Sequence, residues 1–218
     1  MSALGKSEAV VAAAQELERL GLNRGSAGNV SLRDGDAMRI TPSGVPSGRL
    51  APQDIARMAL QGPDGAFEGP LPPSSEWRFH RDIYIARPDV GAVVHMHSPY
   101  ATTLAILRRE IPAAHYMIAA FGGPTVRCTD YAPYGTAELS ALAVAGLGQQ
   151  HGVLLGNHGA IVTAGELEKA LWRAGELEQL AQVYYLASLA GAPVILPDEE
   201  IMRTVERFKS YGPKDKGA

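Results

Sequence analysis

The chain has 218 residues, of which 46% are hydrophobic and 20% charged; this is a globular composition, with enough length for one sizeable core and too little for two. Its 20 basic and 23 acidic residues leave a formal charge of -3, and no basic block stands out, which argues against nucleic acid or an anionic membrane surface as partner. The one cysteine, Cys128, excludes an intrachain disulfide framework and suits a reducing compartment.

From the N-terminus, residues 7–20 place Val10, Val11, Ala14, Leu17 and Leu20 at helical spacing, with Gly21 as the stop. Glu8 and Glu16 interrupt this stretch, so it does not read as a signal peptide, and every later apolar run breaks well short of the ~20 residues that span a bilayer. A soluble cytoplasmic protein is expected. "GSAGNVSLR" predicts a glycine-rich turn and a strand, "DGDAMRITPSG" a hairpin returning into "MRIT", and residues 56–61 a third short strand. "LPPSSEWRFHRDIYIARPD" supplies a proline-stiffened approach, serine caps and a helix to about Arg87.

The pattern continues with a strand over 91–97, a helix over 99–108, a buried "HYMIAAFGG" segment, a strand over 124–128 and a helix over 136–148. "GVLLGNHGAIVTAG" is a strand, a turn and a second strand, and helices follow over 166–190 and 198–209. Mixed strands and long helices give a layered α/β fold, and no linker or repeat asks for a division of residues 1–218 into two domains. The polar tail, about 213–218, is expected to be mobile.

Within "AVVHMHSPYATT", His95 and His97 are two apart, so in a strand they project from one face, about 6.6 Å apart along the chain. A His-x-His pair is as compatible with surface or hydrogen-bonded roles as with a metal. His158, in "LLGNHGAI", is either a turn residue or a third ligand delivered to a cleft at the end of a buried strand. Three neutral imidazoles suit zinc, with the fourth position open to a carboxylate, water or substrate. Glu76 is the preferred carboxylate, against an alternative role in capping its helix; His80, one turn on, reads as a core or supporting group. "GSAGN", "TPSG" and "PSSE" are rich in backbone donors and hydroxyls, and they make an anion site only if they converge.

Together "GLNRGSAGNVSLR", "ITPSGVP", "LPPSSEWRFH", "AVVHMHSPYATTLAIL", "IPAAHYMIAAFGG", "YGTAELS" and "LLGNHGAIV" resemble the class II aldolase and adducin head family, on its L-fuculose-phosphate aldolase branch. The resemblance runs from about residue 8 to residue 211. It implies an α/β/α domain around a mostly antiparallel sheet, and a zinc enzyme, one ion per subunit, that cleaves a 1-phosphorylated ketose to dihydroxyacetone phosphate and an aldehyde. Another divalent ion could serve in zinc's place.

On the same resemblance His95, His97 and His158 are metal ligands, and Glu76 is both ligand and acid–base. Ser26, Asn29, Ser43, Gly44, Ser74 and Ser75 fall at phosphate-binding positions. Tyr116 matches a residue that reaches a neighbouring subunit's site, Tyr211 matches one in the tail, and the implied assembly is a homotetramer with sites at subunit boundaries. Tyr134 stands where this branch has phenylalanine near the aldehyde, and Gly156-Asn157 replaces a Gln-His pair before the ligand histidine. Of the remaining residues, Trp77 and Trp172 are expected to pack helices, Cys128 to be a small buried side chain, and Asp130 to be an exposed turn residue. His115 and His151 have weak claims to catalysis.

Overall fold

Residues 2–208 are described by the computed structural model, and β-rich and helical stretches alternate along them as the sequence patterns demand. Seven strands form one sheet: β1 (Asn29–Asp34), β2 (Ala37–Ile40), β3 (Ala56–Ala59), β4 (Ala92–Met96), β5 (Arg127–Cys128), β6 (Gly152–Leu155) and β7 (Gly159–Ala164). Their order is β3-β2-β1-β4-β7-β6-β5. Every neighbouring pair is antiparallel except β5 and β6. The helices are α1 (Ala3–Arg19), α2 (Trp77–Ala86), α3 (Pro99–Ile106), α4 (Ala137–Leu147), α5 (Leu167–Ala190) and α6 (Asp198–Phe208).

Central strands β4 and β7 are buried along their whole length, because helices cover both faces of the sheet. A strand buried on both sides reads as a continuous apolar run, and its alternate residues enter different cores. Val94 and Met96 join α1, α3 and α5 in one core. Val93 joins α2 and α4 in the other. This is the expected three-layer α/β/α arrangement, and it gives His95, between Val94 and Met96, the α2 side of the sheet.

Local chemistry moves several expected boundaries. The strand expected over 124–128 shortens to two residues: Pro124 has no N–H to donate, and Val126 pairs with Ile111 in an isolated bridge instead. Trp77 does pack, half-buried with the Arg78 and Arg81 guanidinium groups 4.7 and 4.6 Å from its ring. Trp172 does not: it is 45% exposed on α5. No serine caps α2. Glu76 occupies the capping position, yet its side chain makes no capping bond.

Helix α3 has no local side-chain cap either. Its N-terminus is held by Glu178 of α5, which accepts from the Ser98 hydroxyl at 2.7 Å and from the backbone N–H groups of Tyr100 and Ala101 at 2.8 and 2.9 Å. An acidic side chain on a helix N-terminus is favoured by the unpaired donors and the dipole there, and this bond network anchors the turn that follows His97.

Candidate active site

Sheet register starts the site. β1 runs antiparallel to β4 with Asn29 opposite His95, and the hairpin of β6 and β7 brings Leu155 opposite Gly159, so His158 sits in the turn between them. Asn157 in that turn has φ +54°, a left-handed conformation that asparagine tolerates better than most residues. Its amide is fixed by Arg108, whose Nε donates to Asn157 Oδ1 at 2.7 Å. Gly156 is needed here for space, since a Cβ would lie 2.5 Å from the Thr129 carbonyl and 2.6 Å from the Arg108 guanidinium.

The three imidazoles converge, with ring centroids 4.7 to 5.0 Å apart. Glu76 completes the group: its Oε2 is 3.2 Å from His95 Nε2 and its Oε1 is 3.1 Å from His158 Nε2. The bonding pattern asks for a cation. His95 Nδ1 lies 3.0 Å from the Ala160 carbonyl and must donate to it, which leaves the Nε2 lone pair of the neutral ring facing the cluster. That nitrogen is 2.9 Å from His97 Nε2, and Glu76 Oε1 is buried without a hydrogen-bond partner. Three imidazoles and a carboxylate gathered around the His95 lone pair fit a divalent metal ion, and nitrogen and oxygen ligands of this kind suit zinc. Ligand atoms of His95, His97 and His158 all lie within 4.8 Å of one another.

Burial alone raises the Glu76 carboxyl, but positive charge at the place of the His95 and His158 rings outweighs it and holds the group well below the usual carboxylate range; with the rings neutral, a bound cation would supply that charge. A buried carboxylate that stays ionised needs a positive neighbour. Burial first, with the other two rings adding to it, pushes His97 down to about 3, which favours the neutral form that metals bind.

Beside this cluster lies a cleft of about 360 Å³. Ser26, Asn29, Ser43, Gly44, Ser74, Ser75 and Tyr134 all line it, as do Glu76, His97 and His158. The three small-residue segments converge because they are bonded to one another. Ser74 N–H donates to the Thr41 carbonyl at 2.9 Å, Ser43 N–H to the Pro72 carbonyl at 3.2 Å, and Pro42 bridges Pro73. Gly28 cannot be replaced without conflict: its φ is +69°, and a Cβ would press on the Asn23 carboxamide and lie 2.6 Å from the His95 carbonyl.

Two contributors escape a reading of motifs. Asn23 clamps the end of β4, with Nδ2 donating to the His95 carbonyl at 3.3 Å and Oδ1 accepting from His97 N–H at 2.9 Å. Tyr131 lines the cleft beside Tyr134. Their exposures, 53% and 71%, mark both as surface rings at an open mouth. Asp130, as expected, is exposed, with only a 3.4 Å ion pair to Arg108. His151 lies outside the cleft and meets Thr163 Oγ1 at 3.2 Å.

Tyr116 is not in this cleft. It is 51% exposed and lines a separate groove of about 520 Å³ with His151, Trp172 and Phe208. Tyr211 and the expected mobile tail lie outside the described residues.

Known proteins match the chain along most of its length. Residues 8–185 match the family model described as the class II aldolase and adducin N-terminal domain. A 5-methylthioribulose-1-phosphate/5-deoxyribulose-1-phosphate aldolase of Rhodospirillum rubrum is 48% identical, covering 93% of this chain and 90% of the relative. An L-fuculose phosphate aldolase of Escherichia coli K12 is 49% identical over 90% of this chain and 91% of its own. Among solved structures, an L-fuculose 1-phosphate aldolase superposes with a TM-score of 0.90 at 39% identity, covering 94% of this chain and 96% of the other.

Proposed function

The chain belongs to the class II aldolase and adducin N-terminal domain family, and on that premise we propose that it is a zinc-dependent aldolase of a deoxyketose 1-phosphate. L-fuculose 1-phosphate is the first candidate, cleaved reversibly to dihydroxyacetone phosphate and L-lactaldehyde. The coarser part of this reading, class II aldolase activity on a phosphorylated sugar, rests on the family and on relatives nearly half identical along nine-tenths of the chain. The observation that carries it to this chain is the placement of Glu76 and three histidines at one end of a cleft whose other wall is three donor-rich turns.

His95, His97 and His158 would hold the ion, with Glu76 as the displaceable fourth ligand. When bound, a divalent cation supplies Lewis-acid stabilisation of the negative charge that develops on the ketose oxygens as the C3–C4 bond breaks. The donors of Ser26, Asn29, Ser43, Gly44, Ser74 and Ser75 take the phosphate, so that remote binding energy fixes the reacting carbons. Glu76 delivers a proton to C3 of the departing triose in cleavage and removes it in synthesis. In synthesis the aldehyde oxygen gains a proton as it becomes the C4 hydroxyl, and Tyr116 is the group assigned to donate it; in cleavage that proton returns from the C4 hydroxyl to the tyrosinate oxygen. Since Tyr116 lines another groove, that assignment requires a neighbouring copy of the chain, and a homotetramer with shared sites is part of the proposal. No lysine is needed: of the five in the sequence, Lys6 and Lys169 are among the described residues, and neither lines the cleft.

The Rhodospirillum relative favours a second substrate within the same chemistry, a 5-deoxyribulose or 5-methylthioribulose 1-phosphate. Tyr134, with its hydroxyl at the mouth of the cleft, is the residue placed to choose between tails. Among the described residues no helix is long and apolar enough to cross a membrane, and a cytoplasmic location is the one we assign.

The test is incubation of zinc-loaded protein with L-fuculose 1-phosphate, 5-deoxyribulose 1-phosphate, 5-methylthioribulose 1-phosphate and L-ribulose 5-phosphate. Dihydroxyacetone phosphate release and inversion at C4 are followed together. Triose from at least one 1-phosphate is expected. Inversion of the 5-phosphate without triose from any substrate would replace the aldolase reading with an epimerase.

A further inference from the structure

Behind the cleft, helix α2 and strand β1 lie face to face with matching repeats. Four residues of helix advance ~6.0 Å and two residues of strand ~6.6 Å, so Glu76, His80 and Tyr84 keep step with Asn29, Ser31 and Arg33. Each rung is bonded. Asn29 Nδ2 donates to Glu76 Oε2 and to Ser74 Oγ, both at 2.9 Å. His80 Nε2 meets Asn29 Oδ1, and its Nδ1 meets Ser31 Oγ at 2.7 Å. Ser31 Oγ in turn meets the Tyr84 hydroxyl at 2.9 Å, and Arg33 donates to the Tyr84 carbonyl at 2.7 Å. His80 and Ser31 are wholly buried.

The direction of every bond in this chain is determined. If the Asn29 carboxamide were flipped, its oxygen would face the Glu76 carboxylate, acceptor against acceptor; the amide nitrogen must therefore face Glu76, and its oxygen must face His80. His80 consequently carries its proton on Nε2 and accepts at Nδ1 from the Ser31 hydroxyl. Ser31 has then spent its only proton, and the Tyr84 hydroxyl donates to it. Buried polar chains of this kind hold one orientation because any reversal leaves an unpaired group, which costs about 1–3 kcal/mol.

We propose that His80 is a positioning residue for the reaction, acting through Asn29: its Nε2–H locks the carboxamide so that the NH₂ group faces the cleft and holds the phosphate cradle, at Ser74, and the carboxylate, at Glu76, in a single arrangement. Asn29 thus joins the two functional walls, and His80 decides which way Asn29 faces. Burial holds His80 near 3, so the ring remains neutral and the lock is permanent through the neutral range. This assignment rests on the aldolase reading for its kinetic consequences, while its structural content stands apart from that reading.

The experiment pairs isosteres. In His80→Gln the amide nitrogen occupies the place of Nε2 and keeps the donor to Asn29; in His80→Asn the shorter amide reaches only the place of Nδ1, where its oxygen accepts from Ser31, and the donor to Asn29 is lost. We expect His80→Gln to retain kcat/KM within about threefold and His80→Asn to lose about 10–100-fold, the range found when a supporting partner is removed. Inorganic phosphate, measured as a competing ligand, should bind more weakly to His80→Asn, whereas zinc affinity by chelator competition should stay within about threefold of the parent. Nitrogen-15 spectra of the parent protein should show His80 as the Nε2–H tautomer, a measurement that needs no variant to fold. An Nδ1–H tautomer, equal activity of the two variants, or a loss of zinc affinity that accounts for the whole effect would each overturn the proposal. If the parent protein cleaves none of the sugars the aldolase reading fails, and the tautomer and phosphate affinity still decide the role of His80.

Discussion

The two walls of the cleft are built on opposite plans. The wall proposed to hold the metal is made of side chains: His95 from a buried strand, His97 from just past its end, His158 from a hairpin turn, and Glu76 from a helix start, within contact distance of one another. The phosphate wall is made of turns whose donors are backbone N–H groups and small hydroxyls, and whose shape depends on Gly28 and Gly44 at positive φ. Side-chain ligands can be exchanged one at a time with large chemical effect, whereas backbone donors can be removed only by distorting the turn that carries them. On the proposed function, chemistry is therefore concentrated on one wall and substrate affinity is distributed over the other.

That division makes ordered predictions. Removing metal with a strong chelator should abolish turnover, with zinc restoring it and the fold retained by circular dichroism; activity that survives complete removal would break the metal wall's claim. Glu76→Gln should come next, lowering kcat by about 10²–10⁴, the usual contribution of a general acid–base group, with KM little changed. Gly28→Ala should destabilise the fold by about 1–3 kcal/mol through left-handed strain, before any cost of displacing Asn23, and should depress both kcat and affinity because the same turn touches the His95 carbonyl. Denaturant midpoints beside steady-state kinetics would show the coupling. Ser75→Ala should raise KM about tenfold while kcat holds, the effect of losing one hydrogen bond to a charged group. A fall in kcat equal to the rise in KM would erase the distinction between the walls. The smallest effect is expected of Tyr134→Phe, a shift of a few-fold in preference between a lactaldehyde-derived and a methylthio-substituted ketose, read as a ratio of kcat/KM values.

The walls also differed in how much of them a linear reading could reach. His95 and His97 share a face by strand periodicity, and the residue types themselves name the chemistry, so the metal wall was legible up to the choice between Glu76 as ligand and Glu76 as helix cap. The fold removes the cap: register sets Asn29 opposite His95, and Asn29 bonds the carboxylate on the inner side, where it makes no capping bond. The phosphate wall was three ordinary turns until bonds of Thr41 with Ser74, Ser43 with Pro72 and Asn29 with Ser74 joined them. Asn23 was invisible because its job is to hold two backbone groups of a strand more than seventy residues away, and no local pattern encodes such a partner. Tyr116 could be matched to a family position, but only the structure puts it in a different groove from the cleft it is meant to serve.

Composition, periodicity and turn residues by themselves determined the layered α/β class, most helices and strands, and the residue types able to bind a metal or an anion, since each of these follows from short-range geometry. Which of those residues meet was decided by tertiary structure alone. The antiparallel pairing of β1 with β4, the hairpin that returns His158, and the equal stride of α2 and β1 are long-range facts, set by how two cores share one sheet. They turn separate motifs into a single site with His80 at its back.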